Sequence, residues 1–148
     1  KMGIGSLSFV STPHFNLAFF RNILYLKVII LLTMFEFQNL EVYKKAKIFH
    51  AESKQLIQLV QLDRITQDQL LRASFSIVLN IAEGSGRFSK LDRRHFFVMS
   101  RGSVFECAAI FDVLHDSNAI NEETFHSFLK IADELSRILY SMIKNLST

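Results

Sequence analysis

A chain of 148 residues with one cysteine, one proline and five glycines is long enough to bury a core unaided. It cannot close an internal disulfide, and it lacks the turn density of a multi-stranded sheet protein. The net charge of +3 is not a basic coat. Residues 1–33 hold Lys1, Arg21 and Lys27 with no acid, and residues 34–148 balance at 14 basic against 14 acidic side chains. Within that part, residues 63–101 carry seven basic and four acidic groups, and residues 102–148 carry three and seven. Such polarity suits orientation of a partner.

Residues 1–34 form an apolar leader. Phe15 to Met34 is the most apolar stretch, but Arg21 and Lys27 interrupt it and no small-residue cleavage site follows, which disfavours a membrane span or a signal peptide. Three readings stay open: translation that truly starts at Met34, a membrane or interface anchor, or an additional packed helix.

Residues 35–148 read as four helices. Val42, Ala46, Phe49, Ser53, Leu56 and Val60 make one stripe over Leu40 to Leu62, the spacing of an amphipathic helix. A capping box at Thr66–Gln69 opens the second helix, whose stripe is Leu70, Ala73, Ile77 and Ile81 and whose end falls at Glu83, with Gly84 left-handed beyond it. Ser89–Asp92 opens the third, with Phe96, Ser100, Ser103, Cys107, Ile110 and Leu114 inward, and Gly102 allows close approach of a neighbour. Asn121, with Glu122 and Glu123, caps the fourth, striped by Phe125, Phe128, Ala132, Leu135, Leu139, Met142 and Leu146. Short connections make these an antiparallel up-down-up-down bundle, hence an all-α fold.

The turn LNIAEGSGRFSK, Leu79 to Lys90, invites comparison with a phosphate-binding loop. Its glycines are two apart, its serine precedes the lysine, and a helix leads into it, so it fails that pattern. The structural expectation is a hinge made by Asn80, Glu83, Gly84, Gly86 and Ser89. Glu83, at the negative end of its helix, needs a cation such as Arg87 or Arg72, and Asn80 is placed to bond the loop backbone.

Phe37–Ala46, Gln69–Ala73, Ser76-Ile77, Asn80–Gly84, Gly86-Arg87, Ser89, Gly102-Ser103 and Glu106 resemble the four-helix bundle proteins of the 23S rRNA intervening-sequence family. The resemblance runs from about Phe35 to the C-terminus. It implies a homo-oligomer, commonly a ring of five, with no established enzymatic activity, and a related branch is thought to bind nucleic acid and a reverse transcriptase. Val78 stands where that family often has proline, and the connection Asp63-Arg64-Ile65 is shorter than usual.

Arg72, Arg87, Lys90, Arg93 and Arg94 are the candidate contacts to RNA or DNA phosphate; the competing reading pairs them with acids of the bundle or of a neighbouring subunit. Phe75, Phe88, Phe97, Phe105 and Phe111 exceed what a four-helix core needs and point to subunit interfaces or an adaptor that binds a protein partner. Asp92/His95, Asp112/His115 and Glu123/His126 resemble di-iron pairs, but the fourth helix turns Glu123 and His126 away from its apolar stripe. No catalytic residue, metal, cofactor or small-molecule substrate is therefore expected, and the setting is cytoplasmic.

Overall fold

The computed structural model describes residues 35–147 together with Tyr25. The chain divides into two units, Lys1–Met34 and Phe35–Thr148, and the readings of the leader lie outside the described residues. A 3-10 turn, Glu36–Asn39, precedes four helices: α1 Glu41–Leu59, α2 Arg64–Gly86, α3 Lys90–Asp116 and α4 Glu122–Asn145. Each packs on its neighbours in a closed cycle, α1 against α2, α2 against α3, α3 against α4 and α4 against α1, which is the expected antiparallel bundle. Among the described residues no helix is long and apolar enough to cross a membrane.

The stripes of α1, α2 and α4 are buried largely as their spacing predicts. Helix α3 differs. Phe97, Val104 and Phe111 are buried beside Ser100, Ser103, Cys107 and Leu114, whereas Phe96 and Ile110 are only partly buried. Because α3 packs on both α2 and α4, its buried arc is wide and takes the second apolar phase as well as the first. Phe97 and Phe111 are thus core residues and not interface aromatics. Phe111 stacks on Phe128 at 4.2 Å and meets the edge of Phe49 at 6.0 Å. Cys107 sits in the same core, where burial, helped by Glu106, pushes its thiol up to about 12; it is not a nucleophile.

Two helix ends depart from expectation. The cap of α2 is Asp63, whose carboxylate accepts from the Ile65 and Thr66 backbone N–H groups and from the Thr66 hydroxyl at 2.5 Å, so the helix opens one turn before the Thr66–Gln69 box. Its far end runs on through Gly84 to Gly86, and no described glycine has positive φ. Gly84 serves packing instead. A Cβ there would lie 2.8 Å from Phe97 Cε1 and 2.9 Å from Phe96 Cβ, whereas one at Gly102 would meet nothing within 4 Å. Close approach between helices therefore occurs at Gly84 and not at Gly102. It continues along α2 and α3 through small polar residues, where Ser100 Oγ donates to the Ile77 carbonyl at 3.0 Å and the Ser76 and Ser103 hydroxyls lie 2.9 Å apart.

Candidate nucleic-acid interface

The turn between α2 and α3 is three residues long, Arg87–Ser89. Its predicted elements divide between tasks. Ser89 caps α3, accepting from the Asp92 N–H at 3.3 Å. Glu83 pairs with Arg87 across the helix end, and the Arg87 guanidinium lies over the Phe96 ring at 4.7 Å. Asn80 does not reach the loop: it donates one turn back, to the Ser76 carbonyl and hydroxyl, both at 2.9 Å. Gly86 is exposed, with open space where a Cβ would stand. The clamp is therefore Glu83, Arg87 and Phe96, with Gly84 beneath it.

Of the five candidate cations, four gather at this end of the bundle. Arg87 is occupied by Glu83. Lys90 is exposed and unpaired among the described residues. Arg94 donates through Nε to the Ser147 hydroxyl at 2.9 Å, a neutral partner that leaves its charge unanswered. Arg93 lines a cavity of about 280 Å³ with Glu36, Phe37, Leu40, Phe97 and Met142, and its Nε is buried with no hydrogen-bond partner among the described residues. A buried donor of this kind is completed by an acceptor. Arg72 stands apart, exposed near the middle of α2, 15 residues and roughly 22 Å along the axis from Arg87.

Lys90, Arg93 and Arg94 share the first turns of α3 with Asp92, where the helix dipole is positive, and Asp112 and Asp116 share its C-terminal end with His115, where the dipole is negative. At the start three cations outweigh one carboxylate, and this net positive charge opposes the macrodipole, as do Asp112 and Asp116 at the far end. Charges set against local stability mark a demand from outside the helix.

The same polarity extends through the bundle. With each helix divided near its middle, one end comprises residues 35–50, 76–102 and 134–147, with ten Lys or Arg and five Asp or Glu. The other end, residues 51–75 and 103–133, carries four and nine. The excess is five positive charges at one end and five negative at the other. Dividing the chain by sequence blurs this, because every helix contributes to both ends; splitting each predicted helix at its midpoint reveals it.

At the acidic end, Glu122 accepts from His115 Nε2 and His126 Nε2, each at 2.7 Å, and His115 stacks on Phe125 at 4.5 Å. His115 and His126 thus bond Glu122 and not the Asp112 and Glu123 of their sequence pairs. Among the described residues no group of three or more His, Cys, Asp or Glu side chains is arranged to hold a metal ion. The bonds from His126 and His115 hold the Glu122 carboxyl below its ordinary 4.5. A lowered carboxyl favours the folded state above its unfolded pKa, and that contribution is lost as pH falls through the folded value. Thermal melts below about pH 4.5 should therefore drop less steeply for Glu122→Gln than for the parent chain, and identical slopes would refute the linkage.

The fold has a solved counterpart. A protein with unknown function from the S23 ribosomal protein family of Bacteroides thetaiotaomicron superposes with a TM-score of 0.66 at 23% identity, covering 70% of this chain and 98% of its own. No curated protein matches the sequence. The family model described as "23S rRNA-intervening sequence protein" matches residues 38–141, most of the bundle and its basic turn. The chain belongs to the 23S rRNA-intervening sequence protein family.

Proposed function

We propose that the protein is a non-catalytic RNA-binding module, a cytoplasmic homo-oligomer that meets phosphate through Lys90, Arg93 and Arg94. Arg87 fixes the turn that presents them. Arg72 is too distant to share one footprint and stands as a separate contact. The observation that carries the reading is the net positive charge at the start of α3, where Lys90, Arg93 and Arg94 outnumber Asp92 against that helix's own dipole and the Nε of Arg93 lacks a partner among the described residues. DNA offers the same phosphates, and the contacts named here do not distinguish it from RNA. The reading includes no cofactor, metal or small-molecule substrate.

Oligomer formation is supported by apolar side chains left on the bundle's flanks. Phe75, Leu79, Val98, Phe105 and Tyr140 are exposed, and Arg101 lies over both Phe105, at 4.8 Å, and Tyr140, at 5.5 Å. A ring of five is the arrangement that the family resemblance implies. These surfaces also favour a second reading, an adaptor that works through the protein contacts of such a ring.

Binding of a single-stranded RNA oligonucleotide across a salt series separates the two. Three phosphate contacts per protomer give a slope of about −2 in log K against log salt. Lys90→Ala or Arg94→Ala should each flatten it by a little under one unit. Absent or salt-indifferent binding overturns the RNA reading and leaves the adaptor.

A further inference from the structure

We propose that copies of this chain associate end to end, the basic end of one against the acidic end of the next, with Phe88 seated in a groove between α1 and α4. The inference does not depend on RNA binding.

Phe88 is fully exposed at the centre of the Arg87–Ser89 turn. Two long helices and the Glu83–Arg87–Phe96 clamp hold that turn, so its aromatic side chain is presented with little backbone entropy left to lose on association. A solvent-exposed phenyl ring at a rigid tip is apolar surface without a partner. Arg87 and Lys90 flank it.

The complementary feature lies at the opposite end. A groove of about 360 Å³ is lined by Leu56, Leu59 and Phe128 together with the polar Gln55, Thr124 and Ser127, with Glu52 and Glu123 beside them. Leu59 is 82% exposed, and neither Glu52 nor Glu123 has an ion-pair or hydrogen-bond partner among the described residues. The groove thus offers the exposed Leu59 over a mixed floor between unspent carboxylates, and the turn offers a ring beside the unpaired Lys90. Its acidity repels a polyanion and selects a basic occupant with an aromatic tip, which this chain itself supplies. The excess of five charges of opposite sign at the two ends orients the encounter in the same sense.

Knob and groove sit at opposite ends of one molecule, so the contact is heterologous and does not close on itself; it builds rows. Sedimentation of the full chain at low salt should show mass rising by roughly twofold or more with concentration, as an open contact requires. About 0.5 M salt should remove the rise, because screening then acts within a few ångströms. Phe88→Ala should suppress it.

Lys90→Glu and Glu123→Lys, at exposed positions on opposite ends, should each weaken association by about tenfold, and an equal mixture of the two should restore it. Restoration also shows that both variants are folded. An association that ignores salt and Phe88→Ala overturns the proposal. So does a Glu123→Lys variant that assembles like the parent, which is the behaviour of a contact between two basic ends, or a mixture that fails to recover.

Discussion

Phe111→Ala should lower the free energy of unfolding by about 3–5 kcal/mol, the range for emptying a buried aromatic site. The ring is fully buried where α1, α3 and α4 meet, stacked on Phe128 and edge-on to Phe49. Phe128 in turn meets the edge of Phe49 at 5.9 Å. Removing one ring therefore takes away two aromatic contacts and leaves a cavity whose walls are two more rigid rings, a site poorly able to collapse. A domain of this size has about 5–15 kcal/mol in all, so the variant loses a large share of its stability. Urea unfolding followed by circular dichroism reads the change, with Phe88→Ala as the exposed control at under about 0.5 kcal/mol. A loss at Phe111 below about 1 kcal/mol would place the residue outside the core.

Gly84→Ala is the second large effect, and its sign is the informative part. In an exposed helix interior, alanine stabilises by about 1 kcal/mol relative to glycine. Here the new Cβ would press on the buried ring of Phe97 and on Phe96 Cβ, which is anchored to the α3 backbone. Neither neighbour is the free end of a flexible chain, so α2 and α3 must separate where Ser100 and Ser103 otherwise hold them close. Overpacking of this kind costs about 1–3 kcal/mol, enough to reverse the propensity gain. Gly102→Ala, with open space around it, should stabilise. If both glycine variants gain stability in thermal melts, the account of Gly84 is wrong.

The contrast between these glycines shows what the sequence carried and what it did not. Glycine at the end of an apolar stripe reads as a helix stop, and glycine among small inward residues reads as a contact; the structure puts the contact at Gly84 and open surface at Gly102. Local pattern cannot separate the two, since both depend on which residue of another helix lies opposite. The same limit explains α3. The spacing 96, 100, 103, 107, 110, 114 and the spacing 97, 100, 104, 107, 111, 114 are both largely apolar and both helical. Only the two-sided packing of α3 decides between them, burying Phe97 and Phe111 more deeply than Phe96 and Ile110.

Other features were legible because their causes are local. Ser89 and Asn121 cap their helices as their side chains dictate, and Glu83 finds Arg87 four residues on. The sequence reading puts the start of α2 one turn late, at Thr66. Asp63 prevails over Thr66 because its carboxylate satisfies two backbone donors and the Thr66 hydroxyl together. Of the candidate site, the grouping of Arg87, Lys90, Arg93 and Arg94 followed from proximity in sequence. The isolation of Arg72, the orphaned Nε of Arg93 and the opposed charge of the two bundle ends follow only from how the helices fold back on one another.

The surface proposed to meet nucleic acid is the basic end of the bundle. Hydrogen exchange of the full chain, with and without a single-stranded RNA oligonucleotide, tests it most directly. Slowed exchange confined to residues 85–96 and the neighbouring C-terminal turn of α4 is the expected footprint. Protection centred on residues 55–65 and 112–125, at the acidic end, or exchange unchanged by saturating RNA, would contradict it.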